Sequence, residues 1–81
     1  MKSVYTTSGT CSSQIELDVD DGIIKEVIFT DGCNGNLQGI VRLVTGMKAS
    51  DAIKRLEGIR CGSNDTSCPD QLAKALSKMG E

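Results

Sequence analysis

The chain has no histidine and no tryptophan, and only one proline, one tyrosine and one phenylalanine. Each shortage excludes something. Without histidine there is no Ser–His–Asp triad, no Cys–His dyad and no mixed Cys/His zinc site. With aromatics nearly absent and no basic block, a nucleic-acid surface is not expected. The core must be built from Ile, Leu, Val and Ala. No apolar run approaches the roughly 20 residues that span a bilayer, so no membrane partner is expected. The opening MKSVYTTSGT has no apolar stretch of the signal-peptide kind, which points to a cytosolic protein with reduced thiols.

Cysteine is plentiful instead: four in 81 residues. A single domain spanning 1–81 is expected, and a chain of this length buries only about 60% of its unfolded surface. Thin cores of this kind often lean on a metal, a disulfide or a partner subunit. In a reducing compartment, metal binding or thiol chemistry is the better reading of four cysteines than two disulfides.

QIELDVD (14–20) alternates strictly, with Ile15, Leu17 and Val19 on one face and Glu16, Asp18 and Asp20 on the other, which is the pattern of a half-buried strand. Asp21-Gly22 signals a hairpin, and IIKEVIFT (23–30) is a second, β-branched strand. Two registers are open. A two-residue loop sets Ile24 and Ile28 beside Ile15 and Val19; a three-residue loop with a bulge sets Val27 and Phe29 there. SVYTT (3–7) is a third strand at an edge, and SGTCSS (8–13) the turn between. The period then changes. Leu37, Ile40, Val41 and Val44 fall at helical spacing and Gly46 closes that segment, with Asn34 or Asn36 as its cap. Ser50 is the expected cap of a short helix carrying Ile53 and Leu56, ended by Gly58. Leu72, Ala75, Leu76 and Met79 mark a third helix from Pro69, with Cys68 at its cap and Asp70 in its first turn. The expected fold is α+β, an antiparallel three-stranded sheet covered on one face by helices, in the order β-β-β-α-α-α.

Cys11 lies just before the first long strand and Cys33 just after the second, so the hairpin should make them neighbours. Cys68 stands at a helix N-terminus, where the dipole favours the thiolate. Cys61 precedes Gly62. All four lie in loops or at caps beside Gly, Ser or Asn, and none lies on an apolar stripe, which argues against packing as their common role. There is no C-x-x-C. GCNGNLQG lacks the Lys-Ser/Thr ending of a phosphate loop, and DVDDG lacks the closing Glu of a calcium loop.

YTTSGTCSSQI, GCNGNLQGI, IRCG and TSCPDQLA together resemble the small TSCPD-domain family, named for the motif standing at 66–70. The resemblance implies a bacterial source and an accessory role. Such domains occur as free proteins of this size and at the C-terminal ends of some cobalamin-dependent ribonucleotide reductases. Eighty-one residues cannot hold a reductase barrel, so the implied part in nucleotide reduction is that of a partner to the reductase. The layout is also similar to the SufE/NifU-like plan of iron–sulfur cluster scaffolds of the NifU type. That likeness implies Cys11, Cys33 and Cys68 as ligands, with Cys61 completing an all-thiolate set. Two departures stand out: Ser13 where the scaffolds carry an acid, and Ser67 where they carry a histidine. They imply a closed site for zinc or an iron–sulfur cluster, not one that passes a cluster on. Two other classes of function compete: a thiol redox partner delivering electrons through Cys68, and an interaction domain whose cysteines merely pack.

Overall fold

The computed structural model of the chain describes residues 1–7, 13–31, 34–60, 62 and 66–79, and of Asn34 the backbone only. Strands β1 (Lys2–Thr6), β2 (Gln14–Asp20) and β3 (Ile23–Thr30) are followed by helices α1 (Asn34–Val44), α2 (Ala49–Leu56) and α3 (Cys68–Met79). The strands form one antiparallel sheet in the order β1-β2-β3. The expected α+β plan is therefore the observed one. Ile15, Leu17, Ile24 and Val27 of the sheet pack with Val44, Ala52, Leu72, Ala75 and Leu76 of the three helices in a wholly aliphatic core. The other face keeps Val4, Glu16 and Ile28 in one cross-strand row, with both apolar members exposed.

The hairpin resolves the open register by using both alternatives in succession. Asp20 pairs with Ile23 and Val19 with Ile24 across a two-residue turn, and both turn residues have positive φ, 56° at Asp21 and 74° at Gly22. That is the turn whose twist matches the strands it joins. The register then shifts, so that Asp18 faces Glu26, Leu17 faces Val27 and Ile15 faces Phe29. Lys25 is the extra residue of a bulge. The bulge lets Ile24, Val27 and Phe29 all face the helices, while Ile28 turns outward. A consequence can be checked by deletion. Removing Lys25 keeps every pairing and both alternations, and is expected to cost no more than about 1 kcal/mol. Removing Ile28 moves Phe29 and Thr30 to opposite faces and is expected to leave little folded protein by circular dichroism. Equal damage from the two deletions would refute the bulge assignment.

Ser50 does not cap α2. Lys48 occupies that position, without a side-chain bond, and Ser50 lies inside the helix. The reason is tertiary. Residues 46–49 run alongside the start of β3: the Gly46 N–H donates to Ile24 O at 2.8 Å and the Ile24 N–H to Met47 O at 2.9 Å. The Ala49 N–H donates to Gly22 O at 2.8 Å, so the hairpin carbonyl satisfies an N–H that a cap would otherwise take. Gly46 (φ 92°) and Gly58 (φ 82°) do follow α1 and α2, as helix stops in the left-handed region. Asn36 lies within α1.

Candidate functional site

Two hydrogen-bonded brackets flank the cysteine positions. The first closes the end of the sheet opposite the hairpin turn. The Ser13 N–H donates to Thr30 O at 2.9 Å, and Ser13 Oγ donates to Asp31 Oδ2 at 2.9 Å. Thr7 N–H reaches Ser13 O at 3.2 Å. Ser13 follows Cys11 by two residues, and Asp31 precedes Cys33 by two. Asp31 has φ 62°, a conformation that Asp tolerates better than most residues, and there the chain leaves the strand.

The second bracket joins the end of α2 to the start of α3. Ser67 is the N-cap of α3: its carbonyl accepts the Gln71 N–H at 2.8 Å and its Oγ accepts the Asp70 N–H at 3.2 Å. The same Oγ donates to Ile59 O at 2.7 Å. Cys68 is thus the first helical residue and not the cap, and Pro69 is the second. Serine takes the capping role because its oxygen accepts a backbone N–H, a bond that a thiol makes poorly. Cys68 is buried, at 7% exposure, yet lies outside the main aliphatic cluster.

Asp70, only 5% exposed, gathers three donors. Its Oδ1 accepts the Gly58 N–H at 2.7 Å. Its Oδ2 accepts the Thr66 hydroxyl and, at 3.3 Å, the Lys74 ammonium. Gln71 Nε2 donates to Thr66 Oγ1 at 3.0 Å. The Thr66 hydroxyl bond holds the Asp70 carboxyl below the usual carboxylate range. Burial opposes that shift, while Gly58 and Lys74 add to it. A buried carboxylate with these donors ties Gly58 and Thr66 to the start of α3.

The sequence profile of the TSCPD domain matches residues 1–80. This chain belongs to the TSCPD domain family. No curated protein and no solved structure gives a significant match. The TSCPD signature, 66–70, can now be read residue by residue. Thr66 donates to the carboxylate, Ser67 caps the helix and grips Ile59, Cys68 is buried at the first turn, Pro69 continues it without needing an N–H, and Asp70 collects the donors. Four of the five letters of the TSCPD motif are thus accounted for by building one helix start.

Of the four predicted ligands, Cys68 is placed at the second bracket, whereas Cys11, Cys33 and Cys61 lie outside the described residues, as does most of the 8–13 turn. Among the described residues, no cluster of three or more Cys, Asp or Glu is arranged to hold a metal. Nor is any described helix long and apolar enough to cross a membrane. The Thr66–Asp70–Gln71 network was missed by sequence reasoning, which gave Asp70 only a dipole role. The spacing Ser-x-x-Asp at 67–70, close to a capping box, was the available signal.

Proposed function

We propose that this TSCPD protein is a cysteine-rich accessory module, cytosolic, that holds zinc or an iron–sulfur cluster through Cys11, Cys33, Cys61 and Cys68. The reductase whose C-terminal domain resembles it is the partner we propose. The observation that carries the reading is the second bracket. The bonds Ile59–Ser67 and Gly58–Asp70 tie the segment entering Cys61 to the helix that begins at Cys68. The first bracket does the same for the segments next to Cys11 and Cys33. Two pairs of bonded segments, each next to two cysteine positions, together with the lack of histidine in the chain, support an all-thiolate donor set for zinc or a cluster. When bound, either group would cross-link four segments and add its binding energy to folding. The burial of Cys68 suits a ligand in a closed site better than a thiol that must meet an attacking partner.

The test is purification without oxygen, followed by a visible spectrum and assays of iron, sulfide and zinc. The expected result is either a brown protein with iron and sulfide or a colourless one with about one zinc per chain. A protein free of all three that forms a fast, reversible Cys33–Cys68 or Cys61–Cys68 disulfide would sink the proposal in favour of thiol shuttling. One free of all three in which Cys11→Ser with Cys33→Ser changes stability only slightly would leave the cysteines a packing role.

A further inference from the structure

The sheet has an open edge at β3. Two observations fix the alternation: Met1 O accepts the Val19 N–H at 2.9 Å, and Ile24, opposite Val19, turns its N–H and C=O away from β2 to Met47 and Gly46. Odd-numbered residues of β2 therefore turn their backbone groups toward β1, and even-numbered ones toward β3. In β3 the partners of those even residues are Glu26, Ile28 and Thr30, which leaves the N–H and C=O of Val27 and Phe29 directed away from the sheet. The neighbouring outward residue, Ile24, is paired by residues 46–47. Among the described residues no backbone group pairs with Val27 or Phe29. Beside them runs a groove of about 530 Å³ between β3 and α1, lined by Val27, Ile28, Phe29, Leu37 and Val41, with Asp31 and Arg42 also on its wall. An edge strand in this state is a template for another strand.

The sequence of the edge indicates which strand. Residues 25–31 read K-E-V-I-F-T-D, with a cation at one end, an acid at the other and Ile28 at the centre. We propose that a second copy of this chain pairs with the free edge of β3, antiparallel, about a two-fold axis through Ile28. In that register the outward groups of Val27 meet those of Phe29 in the other copy, and each Ile28, 44% exposed, meets its equivalent on the open face. Lys25 falls opposite Asp31 in the other copy. Asp31 is held in place by Ser13 at 2.9 Å, so each end of the seam carries one such pair. The contact is isologous, so every favourable pair occurs twice. The two sheets become one of six strands, and no unpaired edge remains at β3.

Sedimentation velocity over a concentration series, together with a charge swap, tests this. The intact chain is expected to dimerise. Asp31→Lys alone sets two cations together at each end of the seam. Lys25→Glu alone sets two acids there. Each variant by itself is expected to dimerise at least about tenfold more weakly, and an equimolar mixture is expected to recover the dimer. Ile28→Lys opposes two like charges at the axis and is expected to dissociate it without touching Ser13 or Asp31, which covers the case of an Asp31 variant that fails to fold. A chain that stays monomeric at every concentration overturns the proposal and leaves the edge to a strand of different sequence. A dimer indifferent to these substitutions, or a mixture that does not recover, overturns it equally.

Discussion

Asp70→Asn is expected to lower the free energy of unfolding at pH 7 by about 2–3 kcal/mol, the cost of disrupting buried bonds to a charged acceptor. For a chain of this size that corresponds to a fall in Tm of about 10–20 °C. The substitution is isosteric, so the loss is electrostatic. Asp70 receives donors on both oxygens: Gly58 on Oδ1, and Thr66 and Lys74 on Oδ2. An amide can present an oxygen to only one of those sides, and its NH₂ then faces another donor. The pH dependence separates this from a packing defect. The Asp70 carboxyl titrates below its ordinary value of 3.8 in the folded protein. Its stabilisation is therefore full above that value and disappears as pH falls through the lower, folded one. Urea melts of the parent and Asp70→Asn should differ most at pH 6–7 and converge as the pH falls below 3.8 and through the lower, folded value. A gap that persists unchanged into acid would mean that the carboxylate charge contributes nothing.

Leu72→Ala comes second, with an expected loss of about 3 kcal/mol from transfer and cavity together. Leu72 is fully buried, at 0% exposure, in the cluster that α3 shares with the sheet and with α2. The neighbours are Ile, Leu, Val and Ala, and β-branched residues have few rotamers with which to close a gap. Against a total stability of about 5–15 kcal/mol for an ordinary domain, that is a large fraction. Leu43→Ala, at a site 76% exposed, serves as the control and should change the urea midpoint little. A loss at Leu72 of under about 1 kcal/mol would show that α3 is not seated on the core as described.

The elements themselves were legible because their periods are clean. The alternation in 14–20 and the helical spacing of Leu37, Ile40, Val41 and Val44 each belong to one structure only. What escaped was every choice made by tertiary contact. The start of α2 is set by a hairpin carbonyl 27 residues earlier in the chain (Gly22 to Ala49), so Ser50 looked like a cap and was not one. The bulge at Lys25 is invisible to a rule that assigns one register to a whole strand. In the signature the serine, not the cysteine, caps the helix, and the acid works through its carboxylate on Gly58 and Thr66 as well as through position. No local pattern announces a bond from residue 70 back to residue 58. For the four cysteines, the sequence supplied the order along the chain, and the structure supplies the brackets around them and the burial of Cys68.

Tyr5 is the one tyrosine of a chain that has no tryptophan. Its ring lies 5.7 Å from the Lys78 ammonium, where the last turn of α3 meets the outer strand of the sheet. Tyrosine emission from this molecule accordingly comes from a single place. Any event that lifts the final helix away from the first strand should be visible there without an added label, and distinguishable from changes at the brackets.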